Sequence, residues 1–166
     1  MLTPATPADF PTLFRLLEES FPIDEYRPRE AQLALHSDPR YTLWTNAVRT
    51  ALISVWQFPD FAFVEHFAVS PAQRNNGLGA SILQEALSSL HCPVCLEAEL
   101  PESPLARRRL NFYERNGFFV NPFPYLQPAY APDRNPVPMT ILSTAPLTPQ
   151  QFQQIQDTLY QYVYKM

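Results

Sequence analysis

Three glycines in 166 residues leave this backbone few places to turn left-handed. Ordinary usage, roughly 7%, would supply about a dozen. Nineteen prolines stiffen the chain elsewhere. Gly77 and Gly79 sit together in the run QRNNGLGA (Gln73–Ala80), and Gly117 closes the run NFYERNG. A positive φ, or a close approach of backbone to a ligand, costs least at glycine. The question is what the backbone does at Gly77 and Gly79 that it does almost nowhere else.

The surrounding pattern says what the turns join. Thr6-Pro7 reads as a helix start, and Phe10, Leu13, Phe14, Leu17 and Phe21 recur with helical spacing. Leu2-Thr3-Pro4 before it fits an edge strand, and a weaker helix is expected from Pro28 to His36. Residues 41–48, 50–58 and 61–69 are rich in β-branched and aromatic residues and read as three antiparallel strands. The glycine run comes next, then a helix from about Ala80 to Leu90 whose stripe is Ile82, Leu83, Ala86, Leu87 and Leu90. Val94–Leu100 reads as a core strand. Ser103-Pro104 starts a helix carrying Ala106, Leu110 and Tyr113 on one face, and Gly117 falls where a left-handed cap is needed. Phe118–Tyr125 and Pro138–Ser143 read as two further strands. Eight prolines between Asn121 and Pro149 require these to be short or at edges. Thr148-Pro149, with Gln151 as capping-box partner, opens a last helix. A strand, loop, helix and strand over Ala62–Leu100 imply one parallel pair with a right-handed crossover. The expectation is one mixed α/β domain over 1–166, with a core over about 1–143 and a C-terminal helix over about 148–163.

Composition narrows the function. The hydrophobic fraction of 46% supports a packed core. The longest apolar run, Ala51–Trp56, is far shorter than a membrane span, and the N-terminus lacks a signal-peptide pattern. These features give a cytoplasmic expectation, with no membrane partner. A net charge of −4 gives no electrostatic case for nucleic acid. Cys92 and Cys95 form a C-x-x-C pair, which suggests half a zinc site or a redox couple. On a strand, however, residues three apart face opposite ways, and no second Cys pair exists, so no metal is expected. Free thiols in a reducing compartment are the expectation.

A helix that starts just after a strand and a glycine-rich loop presents unpaired N–H groups and the positive end of its dipole, which suits phosphate. Arg74, Asn75 and Asn76 could add donors. The Walker A and dinucleotide fingerprints both fail here. A simple strand-to-helix turn would need the same glycines.

VSPAQRNNGLGASIL nevertheless resembles the acetyl-CoA loop of the GNAT superfamily of N-acetyltransferases. Arg74, Gly77 and Gly79 occupy the positions of its Arg/Gln-x-x-Gly-x-Gly/Ala motif. NFYERNGFF, residues 111–119, is similar to the superfamily's helix-ending Tyr-Glu-x-x-Gly-Phe signature. The resemblance implies a GNAT-like sheet of six to seven largely antiparallel strands, with helices on both faces and an extra C-terminal helix. It implies acetyl-CoA as co-substrate and transfer of its acetyl group to an amine, small or peptidic, by direct attack. A non-catalytic acyl-CoA-binding module on the same fold is the alternative.

The resemblance also implies site residues. The strand carrying residues 61–69 would splay from the one carrying 94–100. The pantetheine arm would lie in that gap, pairing with the backbone of Phe67, Ala68 and Val69. Pyrophosphate would meet the amides from Arg74 through Asn75, Asn76, Gly77, Leu78 and Gly79 to Ala80. Tyr113 holds the position from which many members protonate the departing CoA sulfur, and its ordinary pKa lies about two units above a thiol's. It could equally be a core tyrosine. Glu65 is the leading base, expected on one face with Phe63, Phe67 and Val69, with His66 turned to the other. Glu97 and Glu99, sharing a face with Cys95, could bind a cationic acceptor or pair with arginines. Arg107-Arg108-Arg109 could reach the 3′-phosphate of CoA or be a solvated helix face. The asparagine that many members carry seven residues before the tyrosine is Ala106 here. Tyr160, Tyr162 and Tyr164 lie beyond the family core, on a helix that covers a sheet edge or joins two copies as a homodimer.

Overall fold

The computed structural model describes all residues from Met1 to Met166. The fold is mixed α/β, with eight strands, mostly antiparallel, and five α-helices. The chain divides into two compact units, Met1–Val94 and Cys95–Met166.

In the first unit, Thr6 and Asp9 form a capping box that opens a short 3-10 turn, Pro7–Asp9. Helix α1 (Phe10–Ser20) follows and buries Phe10, Leu13, Phe14 and Leu17. Helix α2 (Arg29–Ala34) runs into a 3-10 turn, Leu35–Ser37. Strands β1 (Thr3–Pro4), β2 (Tyr41–Thr45), β3 (Ala51–Gln57) and β4 (Ala62–Val69) pair antiparallel in chain order. Phe10 and Phe14 of α1 lie against the sheet with Tyr41, Leu52, Ser54 and His66. Helix α3 starts at Leu78 and ends at Ser89, two residues earlier at its N-terminus than the hydrophobic stripe indicates.

The register of β3 on β4 slips at one point. Ser54 pairs with His66 but Val55 pairs with Val64, so Glu65 is an extra residue, a β-bulge. The bulge changes which side chains share a face. Trp56, Ser54 and Leu52 lie on one face of β3, and their partners Phe63, His66 and Ala68 share it. The Trp56 indole N–H reaches the Glu65 carboxylate, so Glu65 and His66 both point to this side. Phe67 and Val69, paired with Ile53 and Ala51, take the other. Strict alternation had put Glu65 with Phe67 and Val69, and His66 opposite. The inserted residue moves Glu65 to the His66 side, while His66 stays opposite Phe67 and Val69 as alternation expects.

In the second unit, strand β5 (Val94–Glu99) and strands β6 (Phe119–Val120) and β7 (Tyr125–Gln127) all pair antiparallel with β8 (Val137–Ser143). The single strand expected over Phe118–Tyr125 is thus two, which raises the strand number to eight. Pro122 and Pro124 lie between them, and neither can donate to a ladder. The buried Asn121 side chain bridges this break. Its Nδ2 donates to the Ile141 carbonyl and the Ser143 hydroxyl at 3.0 and 2.9 Å, and its Oδ1 accepts from Leu147 N–H at 3.0 Å.

Helix α4 (Pro104–Arg115) is capped by the Ser103 hydroxyl, and Gly117 follows at φ +94°. Helix α5 (Pro149–Thr158) begins with the Thr148/Gln151 capping box and continues as a π-helical turn, Leu159–Val163. Phe152 meets Phe123 and Tyr125, and the Tyr160 hydroxyl donates to the Leu126 carbonyl at 2.6 Å, so this C-terminal segment covers β7.

Candidate active site

The glycine run leaves β4 at Val69 and turns through Pro71–Gln73. Asn75 has φ +68° and Gly77 φ +81°, so two left-handed residues bring the chain to the N-terminus of α3. Gly77 is the N-cap, and a Cβ there would touch nothing within 4 Å. The requirement for glycine at 77 is therefore conformational, and the space beside it is open. Gly79 lies inside the first helical turn, so its lack of a side chain favours close approach and not a special φ. The Leu78 amide is met by Asn76 Oδ1 at 3.1 Å, while the Gly79 and Ala80 amides are first-turn donors with no acceptor within the helix. Arg74 is tethered through Nε to the Val69 carbonyl at 2.9 Å. That bond holds its guanidinium at the mouth of the loop.

Glu65 is sealed in. Its side chain is 0% exposed and its Oε2 lies 2.9 Å from Arg27 Nη1. Trp56 Nε1 donates to Oε1 at 2.8 Å. The network continues through Arg27 to Gln32 at 3.3 Å and from Gln32 to the Tyr41 hydroxyl at 3.4 Å. Burial, reinforced by the Glu65 charge, pushes the Tyr41 phenol far above its ordinary pKa. His66 is buried beside them with its Nε2 donating to the Glu25 carbonyl at 2.7 Å, and burial lowers its pKa, so the ring is neutral.

On α4, Tyr113 packs edge-on against Phe112 and Phe118. Burial pushes its phenol up to about 12, against a smaller opposing effect of Arg109. The gap to a thiol therefore exceeds the two units taken from ordinary values. The phenol is a donor at any physiological pH. Glu99 forms an ion pair with Arg109 at 3.0 Å, both about one-third exposed. Arg107 turns toward the Pro101 carbonyl at 3.5 Å. Ala106 is buried against the unit's core.

Glu97 has different company. The Tyr125 hydroxyl donates to its Oε2, and the Tyr164 hydroxyl spans both oxygens at 2.7 and 2.8 Å. Burial, then the Glu97 charge, raises the Tyr125 phenol well beyond its usual range, and the same two causes raise Tyr160. Cys92 is half-buried and Cys95 buried, both as free thiols. Sequence reasoning missed Arg27, Trp56 and Tyr125 as partners of these carboxylates. The only local hint was the tyrosine spacing at 160 and 164.

β4 thus leads through a left-handed glycine cap into the N-terminus of α3, and a second left-handed glycine follows α4. The Acetyltransferase (GNAT) domain profile matches residues 40–119. A solved structure from Bacteroides thetaiotaomicron, assigned to the GNAT acetyltransferases, is 32% identical, covers 100% of this chain and 99% of its own, and superposes with a TM-score of 0.92. The chain belongs to the GNAT family of acetyltransferases. YjbC of Bacillus subtilis strain 168, designated an acetyltransferase, is 27% identical over 107 residues, or 63% of this chain and 55% of YjbC. The ribosomal-protein-S18-alanine N-acetyltransferase of Escherichia coli shares the fold at 18% identity and a TM-score of 0.65, over 86% of this chain and 91% of its own. Acyl transfer from acetyl-CoA is the chemistry of this family. No helix is long and apolar enough to cross a membrane.

Proposed function

We propose that this protein transfers the acetyl group of acetyl-CoA to an amine by direct attack. The observation that carries the reading is the left-handed cap at Gly77, which sets the open amides of Gly79 and Ala80 beside Arg74 at the start of α3. This is an anion site suited to a pyrophosphate. Asn75, Asn76 and Leu78 shape that loop, and the backbone of Phe67, Ala68 and Val69 carries the pantetheine arm.

The amine nitrogen, unprotonated, bonds to the thioester carbonyl carbon, and the C–S bond breaks. The proton shed by nitrogen leaves to solvent, and the departing sulfur receives one from the Tyr113 phenol, which is then reprotonated from solvent. Amide and free CoA thiol are the products, with no net change in protons when the amine enters neutral. Tyr113 takes the acid role on its place in the Tyr-Glu-x-x-Gly-Phe signature, and burial keeps it protonated before the sulfur departs. Glu65 has one carboxylate oxygen on a cation and the other on an indole, with no exposed surface. We therefore give it a structural role, holding the segment before α2 to β4, in place of the base role that its strand position suggests. Glu99, at the end of β5, is paired with Arg109 of α4 and about one-third exposed.

Thioester cleavage measured by thiol release with a panel of amines tests the reading. Wild type should turn over at least one amine, and Gly77→Val should lose CoA affinity tenfold or more. Tight CoA binding without turnover on any amine would favour a binding module. CoA affinity unchanged in Gly77→Val would mean that the loop is only a turn.

A further inference from the structure

The polar side chains around the β4 bulge form a closed circuit. From the Glu65 carboxylate it runs to Arg27 at 2.9 Å, on to Gln32 at 3.3 Å and to the Tyr41 hydroxyl at 3.4 Å. Tyr41 hydrogen-bonds the Ser54 side chain. The Ser54 oxygen then accepts the main-chain N–H of His66 at 2.9 Å. The circuit thus starts and ends on consecutive residues of β4, the two that flank the register slip opposite Ser54.

Ser54 differs from the other members in what it holds. Every other link of the circuit joins side chain to side chain, whereas Ser54 grips β4 by its main chain. Antiparallel ladders join main chain to main chain. At the slip, a hydroxyl on a residue only 1% exposed offers the His66 N–H a side-chain acceptor as well. Two residues along the same face of β3, the Trp56 indole holds the inserted Glu65 through its carboxylate at 2.8 Å. β3 therefore grips both residues of the bulge from one side.

A bulge bends its strand and adds twist, so it re-aims the residues that follow. Those residues are Phe67, Ala68 and Val69, which pair in regular register with Ile53, Leu52 and Ala51. We propose that Ser54 is a positioning residue: its hydroxyl, by holding the His66 N–H, fixes the bulge and with it the aim of the backbone that carries the pantetheine arm. Ser54 touches no substrate in this role. The inference rests on the acetyl-transfer reading above for the identity of its ligand.

The test uses the full-length protein and CoA, with Ser54→Ala and Ser54→Thr. Amide exchange is read first, in the free protein. Loss of the hydroxyl should speed exchange at His66 about tenfold, the scale of one buried hydrogen bond. Threonine keeps the hydroxyl and suits a strand, so Ser54→Thr should exchange as wild type does. CoA affinity, measured by calorimetry, should fall about fivefold in Ser54→Ala through lost preorganisation and recover in Ser54→Thr. Leu17→Val, in the buried face of α1, lowers stability without touching β4's main chain and should leave CoA affinity unchanged. Equal CoA affinity in Ser54→Ala and wild type, an equal loss in Leu17→Val, or unchanged His66 exchange in Ser54→Ala would overturn the positioning role. CoA binding that depends on Ser54 in a protein that acetylates no amine would uphold the positioning role and overturn the acetyl-transfer reading. A wild-type protein that binds no CoA would overturn both.

Discussion

Glu65 and Glu97 are both glutamates in the middle of strands, yet their surroundings have opposite chemistry. Glu65 meets a cation and an indole in a closed shell, with Arg27 only 7% exposed and Glu65 not exposed at all. Glu97 meets neutral phenols in a half-open one. A buried charge must be paired, and once paired its value lies in holding the pieces together. The difference teaches that a carboxylate's role follows from what satisfies it, and its position along a strand says little.

The largest test of this contrast is to break the buried pair. Arg27→Met alone leaves Glu65 as an uncompensated buried charge and should cost about 3–5 kcal/mol in urea unfolding. Arg27→Met combined with Glu65→Leu should recover most of that loss. If the single variant is as stable as wild type, the closed shell is not what holds the segment before α2 to the sheet. Glu97→Gln, by contrast, keeps a hydrogen-bonding group among the phenols and should cost only about 0.5–1.5 kcal/mol. A loss as large as that of Arg27→Met would make Glu97 structural as well, and the contrast would fail.

Tyr113→Phe sharpens the comparison from the chemical side. The ring packing against Phe112 and Phe118 survives, so stability should hold while kcat falls about 100-fold, at the low end for loss of a general acid. Because burial lifts this phenol to about 12, the wild-type kcat profile should show no decline from Tyr113 ionisation below pH 10. An unchanged kcat in Tyr113→Phe would make it a core tyrosine.

The smallest expected effect is at His66, next to Glu65 in the chain. Its pKa is lowered in the folded state, chiefly by burial, so below about pH 6.5 the unfolded chain binds a proton that the folded chain resists. Stability should be complete above pH 6.5 and fall as the pH drops toward the folded pKa, by at most about 1.4 kcal/mol per pH unit. His66→Gln should flatten that slope in unfolding titrations between pH 7 and 5. An equal slope in both proteins would show that His66 is not the group responsible.

Much of this architecture is legible in the sequence, because local rules write it. The scarce glycines mark two of the left-handed positions, Gly77 and Gly117, while Arg49, Asn75 and Lys165 take positive φ without that sign, and Ser103 and Thr148 mark helix starts with their hydroxyls. The alternation over 41–69 gives the three long strands of the first unit in their correct pairing. What escaped is written between distant residues. The bulge at Glu65 leaves no local sign, since one added residue in a hydrophobic strand changes no composition, yet it decides which face Glu65 occupies. Arg27 and Glu65 meet across 38 positions, and Tyr164 reaches Glu97 across 67. The prolines at 122 and 124 were visible, but the split that they impose on the strand depends on Asn121 bridging the gap.

The most direct measurement is kcat for acetyl transfer to an amine in two variants side by side. With Tyr113 as the acid and Glu65 serving only the fold, Arg27→Met/Glu65→Leu should stay within about threefold of wild type. Tyr113→Phe should lose about 100-fold. The reverse ranking, with activity lost in the double variant and kept in Tyr113→Phe, would return the catalytic role to Glu65 and contradict this account.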